Sequence, residues 1–408
     1  MHRDPPVLAG PGLTNVADAV ASAHRTEWAR IVAGLIRWTG DWMLAEDAAQ
    51  DAFAAALQSW ARDGVPDRPG AWLTTTARHR AIDRLRTATS ERSRLQRFSL
   101  DLETPRVDDA EDDRLRLIFT CCHPALPLDA QVALTLRTVA GLPVAEIGRA
   151  FLVSEATMAQ RLVRARRKIE HAAIPYRTPP AESLVERLNG VLAVLYLAFN
   201  AGYSDVAFAE VADSAIAVTE ALVDMMPLES EARGLLALML IQGSRRASRF
   251  DANGELLTLE EQDRSLWNHA SIERARLLIS SARGRGPYVV QAAIAQCHAN
   301  ASSAGATDWT RIVVLYDELT ALRPSPIVAL NRAIAVGMRD GPEAGLRLID
   351  AVAAELQRLH LVPAARADML SRAGRRDEAI VRYRQAIELA PTDPERAQLT
   401  ARLRSLEP

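Results

Sequence analysis

Between Val144 and Ile169 the chain reads VAEIGRAFLVSEATMAQRLVRARRKI, and this stretch admits few folds. Val144–Phe151 has the pattern of a short helix, Leu152–Ser154 breaks it, and Ser154 is a strong N-cap for a second helix. In that second helix Met158, Leu162, Ala165 and Ile169 recur at helical spacing, so one stripe is buried. The opposite face carries Thr157, Gln160, Arg161, Arg164, Arg167 and Lys168. Arg161, Arg164, Arg166, Arg167 and Lys168 oppose only Glu155 and Glu170 in that helix. A run of charge is usually a solvated face. Preceded by a tight turn and a capped helix, it is instead the pattern of a helix-turn-helix that lies on DNA. Arginines supply affinity through phosphates, and residues near the helix N-terminus, Gln160 foremost, reach base edges.

The rest of the chain is also helical in pattern. Trp28, Ile31, Leu35 and Trp38 mark an amphipathic helix, and a second spans about Leu44–Trp60, where AEDAAQDAFAAALQSW carries an acidic, polar face. Asp63–Pro69 (DGVPDRP) ends it, and a third helix runs from about Gly70 to Thr87. Trp28, Trp38, Trp42, Trp60 and Trp72 give this small domain a bulky aromatic core. Arg78–Arg97 is strongly basic, whereas Asp101–Asp113 holds seven acidic residues against Arg106. The acidic stretch has few apolar residues and reads as a linker.

At 408 residues, two or three domains are expected. A net charge of −2 excludes a uniformly basic nucleic-acid coat but not a local basic face. Cys121, Cys122 and Cys297 form no disulfide framework, which points to a reducing compartment. The N-terminus (MHRDPPVLAGPGL) lacks a signal peptide's apolar core, and the apolar run Val191–Phe199 is too short to span a bilayer. A cytoplasmic protein without membrane attachment is expected.

Beyond Ala181 the chain is rich in alanine and leucine. Near its end, GRRDEAIVRYRQAIELAP places Gly374, Ala379, Tyr383, Ala386 and Pro391 where a tetratricopeptide unit puts its small and bulky packing residues. Pro324, Gly341 and Ala344 give a weaker upstream echo. A generic helical bundle is the alternative reading.

Other constellations carry less. Asp251, Asn253 and Glu260 fit calcium spacing, but the first ligand would be Arg249, a cation. Cys121-Cys122-His123 points in divergent directions on a helix, and no fourth ligand is near, so no metal is assigned. The acid-rich EEQDR (Glu260–Arg264) reads as salt bridges or a cap rather than as general acid and base. No phosphate-binding loop or nucleophile elbow occurs in a proper setting. No catalytic residue and no cofactor are expected.

Three motifs in order resemble the extracytoplasmic-function group of the sigma-70 family, the promoter-recognition subunits of bacterial RNA polymerase. They are AEDAAQDAFAAALQSW, RPGAWLTTTARHRAIDRLR, and LPLDAQVALTLRTVAGLPVAEIGRAFLVSEATMAQRLVRARRKI. The resemblance implies that Glu46, Asp47, Gln50, Asp51 and Phe53 bind the polymerase core. Taken alone, the same residues would form a solvated helix face with Phe53 in the core. It implies that Arg78, His79, Arg80, Arg84 and Arg86 contact the −10 element and help hold the melted strand. It implies that Thr157, Ala159, Gln160, Arg161, Arg164, Arg167 and Lys168 read the −35 element, with Ala159 standing where relatives usually carry Lys or Arg. LYLAFNAGY (Leu195–Tyr203), RFDANGELLTLEEQDRSLW (Arg249–Trp267) and the tetratricopeptide-like end resemble the subgroup with a long helical C-terminal extension. In that subgroup the extension controls or supports activity.

The expected fold is all-α. Residues 1–15 form a flexible N-terminus, 16–97 sigma region 2, 98–112 an acidic linker, and 113–174 sigma region 4. A helical extension domain occupies 181–290, and tetratricopeptide-like repeats occupy 291–408. Expected partners are core RNA polymerase, promoter DNA, and a protein or small-molecule regulator acting on the extension. The alternative is a helix-turn-helix regulator with a tetratricopeptide sensor that works without polymerase. A chain cut at residue 180 is expected to keep the fold of 16–172.

Overall fold

The computed structural model describes residues 11–88, 107–203, 208–251, 256–357 and 359–407. Among them every regular element is helical, apart from one isolated antiparallel bridge between Phe250 and Leu256. The chain forms two compact units, Met1–Met225 and Met226–Pro408.

The first unit opens with α1 (Pro11–Thr39), α2 (Trp42–Asp63) and α3 (Pro69–Ala88). Gly40 has φ +70°, and Asp41 accepts a hydrogen bond from the Leu44 amide at 3.0 Å, so a tight break and a new helix start are written into adjacent residues. Gly64, at φ +85°, ends α2. Ala45, Ala48, Ala49, Ala52 and Ala56 are all fully buried, and this small-residue face lets α1 and α3 pack closely against α2. Trp28, Phe53, Trp60 and Leu73 fill the space that remains.

Next come α4 (Val107–Cys121), α5 (Leu128–Leu134), a single π turn (Thr135–Val139), α6 (Val144–Ala150) and α7 (Glu155–His171). Part of the expected acidic linker therefore belongs to a helix, since Val107–Asp112 begin α4; residues 98–106 lie outside the described residues. Likewise α1 starts at Pro11, inside the N-terminal segment expected to be loose.

α4 and the π turn pack on α1. The two sigma-like modules expected to sit apart thus share one compact unit.

The unit closes with α8 (Ala181–Tyr203) and α9 (Ala209–Met225), which pack on each other. α8 encloses the apolar run noted in the sequence and is long and apolar enough to cross a membrane. Its Leu188, Val191, Leu192, Leu195 and Phe199 are buried, and it packs on α4 and α5 while α9 packs on α6 and the π turn. Arg187 adds a hydrogen bond from Nη2 to the Phe119 carbonyl at 2.6 Å. The compact units therefore divide at Met225, inside the block 181–290 read as one domain.

The second unit runs from α10 (Ser230–Ser244) through α11 (His269–Ser280), α12 (Pro287–Asn300), α13 (Trp309–Leu322), α14 (Pro326–Asp340), α15 (Pro342–Val352), α16 (Leu361–Arg372) and α17 (Arg376–Leu389) to α18 (Asp393–Leu406). From α12 onward each helix packs on the next, the arrangement of a stacked helical repeat. Gly337 and Gly345 let α14 and α15 touch: a Cβ on Gly345 would lie 2.9 Å from the Gly337 Cα. Gly374, at φ +76°, turns α16 into α17, where Ala379, Tyr383 and Ala386 are buried as the repeat pattern requires.

Because α8 and α9 complete the core of the first unit, a cut at residue 180 strips apolar cover from α4, α5 and α6. Each large apolar side chain re-exposed forfeits about 1.5–3 kcal/mol. A chain ending after Met225 should melt cooperatively. One ending after Pro180 should melt about 10 °C lower or more, or aggregate, in a calorimetric comparison.

Candidate polymerase and DNA interface

The acidic helix does not present all its carboxylates to solvent. Glu46 is 3% exposed. Its Oε2 accepts from Arg137 Nε at 3.0 Å, and its Oε1 accepts from Thr138 Oγ1 at 2.8 Å and Arg166 Nη2 at 2.6 Å. Arg137 also donates to the Leu142 carbonyl at 3.1 Å, and the Gln50 carboxamide, turned oxygen-inward, accepts from the same guanidinium. The solvated-face reading is corrected for Glu46. A buried carboxylate persists only when it is paired and hydrogen-bonded, and three donors on its two oxygens do this here.

Sequence reasoning passed over Arg137 and counted Arg166 only among the basic residues of its helix. Arg137 sits in the π turn, whose extra residue turns Arg137 and Thr138 inward; π turns often mark functional positions. Arg166 lies next to the buried stripe, four residues after Leu162, so its helical position was the available signal.

Further contacts join the same two modules. Trp28 Nε1 donates to the Thr138 carbonyl at 3.0 Å. Buried Asp113 pairs with Arg37 at 3.1 Å and Arg116 at 2.9 Å. The Tyr176 hydroxyl lies 3.2 Å from the carbonyls of both Ala33 and Asp113. Gly141, at φ +77°, lies against His24: a Cβ there would meet the imidazole at 2.6 Å. His24 stacks on Trp28 with ring centres 4.9 Å apart and meets the edge of Phe53 at 5.0 Å, so Phe53 is a core residue.

Asp47 and Asp51 are half exposed and both pair with Arg84 at 2.7 Å. The cation expected on the −10 element is thus held by two carboxylates expected on polymerase. Such solvent-screened pairs contribute little and open readily. Arg80, His79 and Arg86 are exposed and Arg78 is half-buried; Arg86 lies 4.0 Å from Asp83. Trp72 packs edge-on against buried Trp60, with ring centres 5.7 Å apart.

The helix-turn-helix forms as its sequence requires. Leu152 takes φ +53° in the turn, and a Cβ on Gly148 would press the Val153 carbonyl at 3.1 Å, which makes glycine the fitting residue for so close a turn. The Ser154 hydroxyl accepts from the Thr157 amide at 3.2 Å. Met158, Leu162, Ala165 and Ile169 are buried. Thr157, Gln160, Arg164, Arg167 and Lys168 are exposed; Ala159 and Arg161 are half-buried. Arg161 is drawn 3.3 Å from Asp129, whereas Arg164, Arg167 and Lys168 make no ion pair among the described residues.

Residues 24–91 match the sigma-70 region 2 family, and 116–169 match the sigma-70 region 4 family. The probable ECF RNA polymerase sigma factor SigI of Mycobacterium tuberculosis is 30% identical over 41% of this chain and 60% of its own length. The chain carries the two sigma-70 regions in their order and is similar to an extracytoplasmic-function sigma factor. Core RNA polymerase and promoter DNA are the partners of such domains.

An uncharacterized protein of Rhizobium meliloti (strain 1021) is 42% identical over 90% of this chain and 91% of the relative, so the extension is shared. Residues 187–283 match a family of unknown function (DUF6596). Yeast Tom70 and the TPR domain of P58(IPK) are similar at 12% identity over 97% of the chain, covering 88% and 98% of those structures, with TM-scores of 0.38 and 0.25. The repeat architecture rests on the extension's own helix pairs instead.

Two outcomes are expected. Arg164→Ala should lower the slope of log affinity against log salt by about one for promoter DNA bound with polymerase, and Arg161→Ala, already paired with Asp129, by less. Fluorescence anisotropy across a salt series measures both. The second concerns His24, which burial and then the nearby Arg137 and Arg25 hold below its ordinary 6.5. The unfolded chain then takes up the proton first, so stability is full above about pH 6.5 and falls as pH drops below it. Melting of the wild type and His24→Gln from about pH 8 to 5 should show a smaller acid loss in the variant.

Proposed function

We propose that this sigma factor directs core polymerase to its promoters from a closed resting form, and that the helical extension is its built-in regulator. The observation that carries the reading is the burial of Glu46 between Arg137 and Arg166. Glu46 lies in the motif that resembles the family's polymerase-binding helix, and a carboxylate buried under three region 4 donors is withheld from polymerase. Opening would free Glu46 for the enzyme and release Asp47 and Asp51 from Arg84, which then turns to DNA. Arg78, His79, Arg80, Arg84 and Arg86 would then serve the −10 element. The exposed row on α7, with Arg161, would serve the −35 element.

Sigma domains imply a cytoplasmic protein. The reading assigns no catalysis and no cofactor to the chain. A regulator that works without polymerase would leave the region 2 fold without a role. The extension's candidacy as regulator is supported by α8 and α9, which pack directly on region 4 helices and so can bias the closed form.

Arg166→Met removes one jaw of the clamp and leaves the exposed α7 row intact. It should raise affinity for core polymerase about fivefold or more, equivalent to about 1 kcal/mol of closed-state stabilisation. Glu46→Gln should weaken the same binding even though it also loosens the clamp. Surface-immobilised core polymerase titrated with each full-length chain measures both; tighter binding by Glu46→Gln would contradict the role given to Glu46.

A further inference from the structure

The segment from Leu256 to Trp267 belongs to a sequence motif that promoter recognition does not use, and it walls a cavity of about 230 Å³ in the second unit. The other walls come from α12, α13, α14, α16 and α18. Trp309, Ile334, Met338 and Leu259 make one end apolar.

Three guanidiniums line the cavity among the described residues, and two are neutralised. Arg372 pairs with Glu260 at 2.6 Å and Asp368 at 2.8 Å. Arg402 reaches Asp368 at 3.4 Å and Thr258 Oγ1 at 3.1 Å.

Arg264 differs. Its Nη1 donates to the backbone carbonyls of His298 at 2.6 Å and Ala301 at 2.9 Å, and its guanidinium lies over the Trp267 ring at 4.5 Å. It makes no ion pair among the described residues, and its Nη2 is closed off from solvent without a hydrogen-bond partner. A guanidinium that lines a cavity without a carboxylate partner is the group an anionic ligand would pair with.

Beside it, His298 is pushed down to about 4, first by burial and then by Arg245 and Arg264, so it is neutral and offers no second positive charge. Its ring meets Trp309 edge-on at 5.3 Å. The carboxylates of Glu260 and Asp368 balance two of the three cations. Among the described lining side chains Arg264 is the guanidinium left without a carboxylate, which suits a ligand that carries one.

We propose that this cavity binds a small organic monocarboxylate, its carboxylate at the Arg264 guanidinium and its apolar body against Trp309 and Met338. This names a ligand class for the regulatory extension proposed above and rests on that reading only for its consequence. Its test reads binding alone, so failure here leaves the polymerase reading standing.

Calorimetric titration of the full-length chain with phenylacetate, indole-3-acetate and hexanoate, each against its uncharged amide, decides the matter. A ligand of about ten heavy atoms should bind at roughly 0.1–1 mM at best. The matching amide should bind about tenfold more weakly, as loss of a charge-assisted hydrogen bond requires. Arg264→Gln should cause a similar loss. Should Arg264→Gln fail to fold, Met338→Trp, which fills the apolar end, should abolish binding on an intact chain. No saturable binding of any acid up to about 10 mM, some ten times the weakest expected constant, overturns the proposal. Equal binding of acid and amide, or unaltered binding by Met338→Trp, overturns it as well.

Discussion

One buried carboxylate organises the first unit. Glu46 comes from a helix whose other face is alanine, and its three donors come from a π turn and from α7, the second helix of the helix-turn-helix. A charge taken out of water is costly, and removing one partner from such a set typically costs about 3–5 kcal/mol. The arrangement is therefore weak evidence of net stability and strong evidence of specificity: few other packings of these helices satisfy Glu46, Arg137 and Arg166 at once. Trp28, His24 and Phe53 supply the apolar surface beside it, and Asp113 with Arg37 repeats the device elsewhere between the same modules.

On the proposed reading, closure and function are competing uses of the same groups. Asp47, Asp51 and Arg84 form exposed pairs that open at little cost, whereas the Glu46 set is shielded from water. The row on α7 is exposed here, so on the proposed reading the closed form withholds the motif assigned to polymerase and leaves the row assigned to the −35 element uncovered. Within the second unit the logic is different. From α12 onward successive helices bury faces mainly against their neighbours, and close glycine contacts set their spacing. The loop Leu256–Trp267 is an exception, reaching helices far along the chain through Glu260–Arg372 and Thr258–Arg402.

Much of this was legible in the residues. The turn at Leu152–Ser154, the Ser154 cap, the stripe Met158–Ile169 and the small residues around Gly374 are each dictated by local periodicity and capping. Glu260, Glu261 and Asp263 turned out to pair with Arg372, cap Thr258 and cap Ser265, in keeping with the structural reading of that acidic run. What local pattern could not supply was partnership over distance. Glu46 and Arg166 are 120 residues apart, and nothing in either helix says which surface each will meet. The packing of α8 and α9 on region 4 is equally non-local, so a boundary drawn from proline-rich composition near Pro180 cut through a shared core.

The central claim is that region 4 holds Glu46 in the free chain and gives it up when polymerase arrives. Spin labels at exposed Gln58 on α2 and Glu155 on α7, introduced as cysteines in a Cys297→Ser chain, report this by pulsed electron resonance. The account predicts one narrow distance distribution for the free protein and a longer, separate distribution once core polymerase is bound. An unchanged distribution on binding, or a broad open distribution in the free chain, would contradict it.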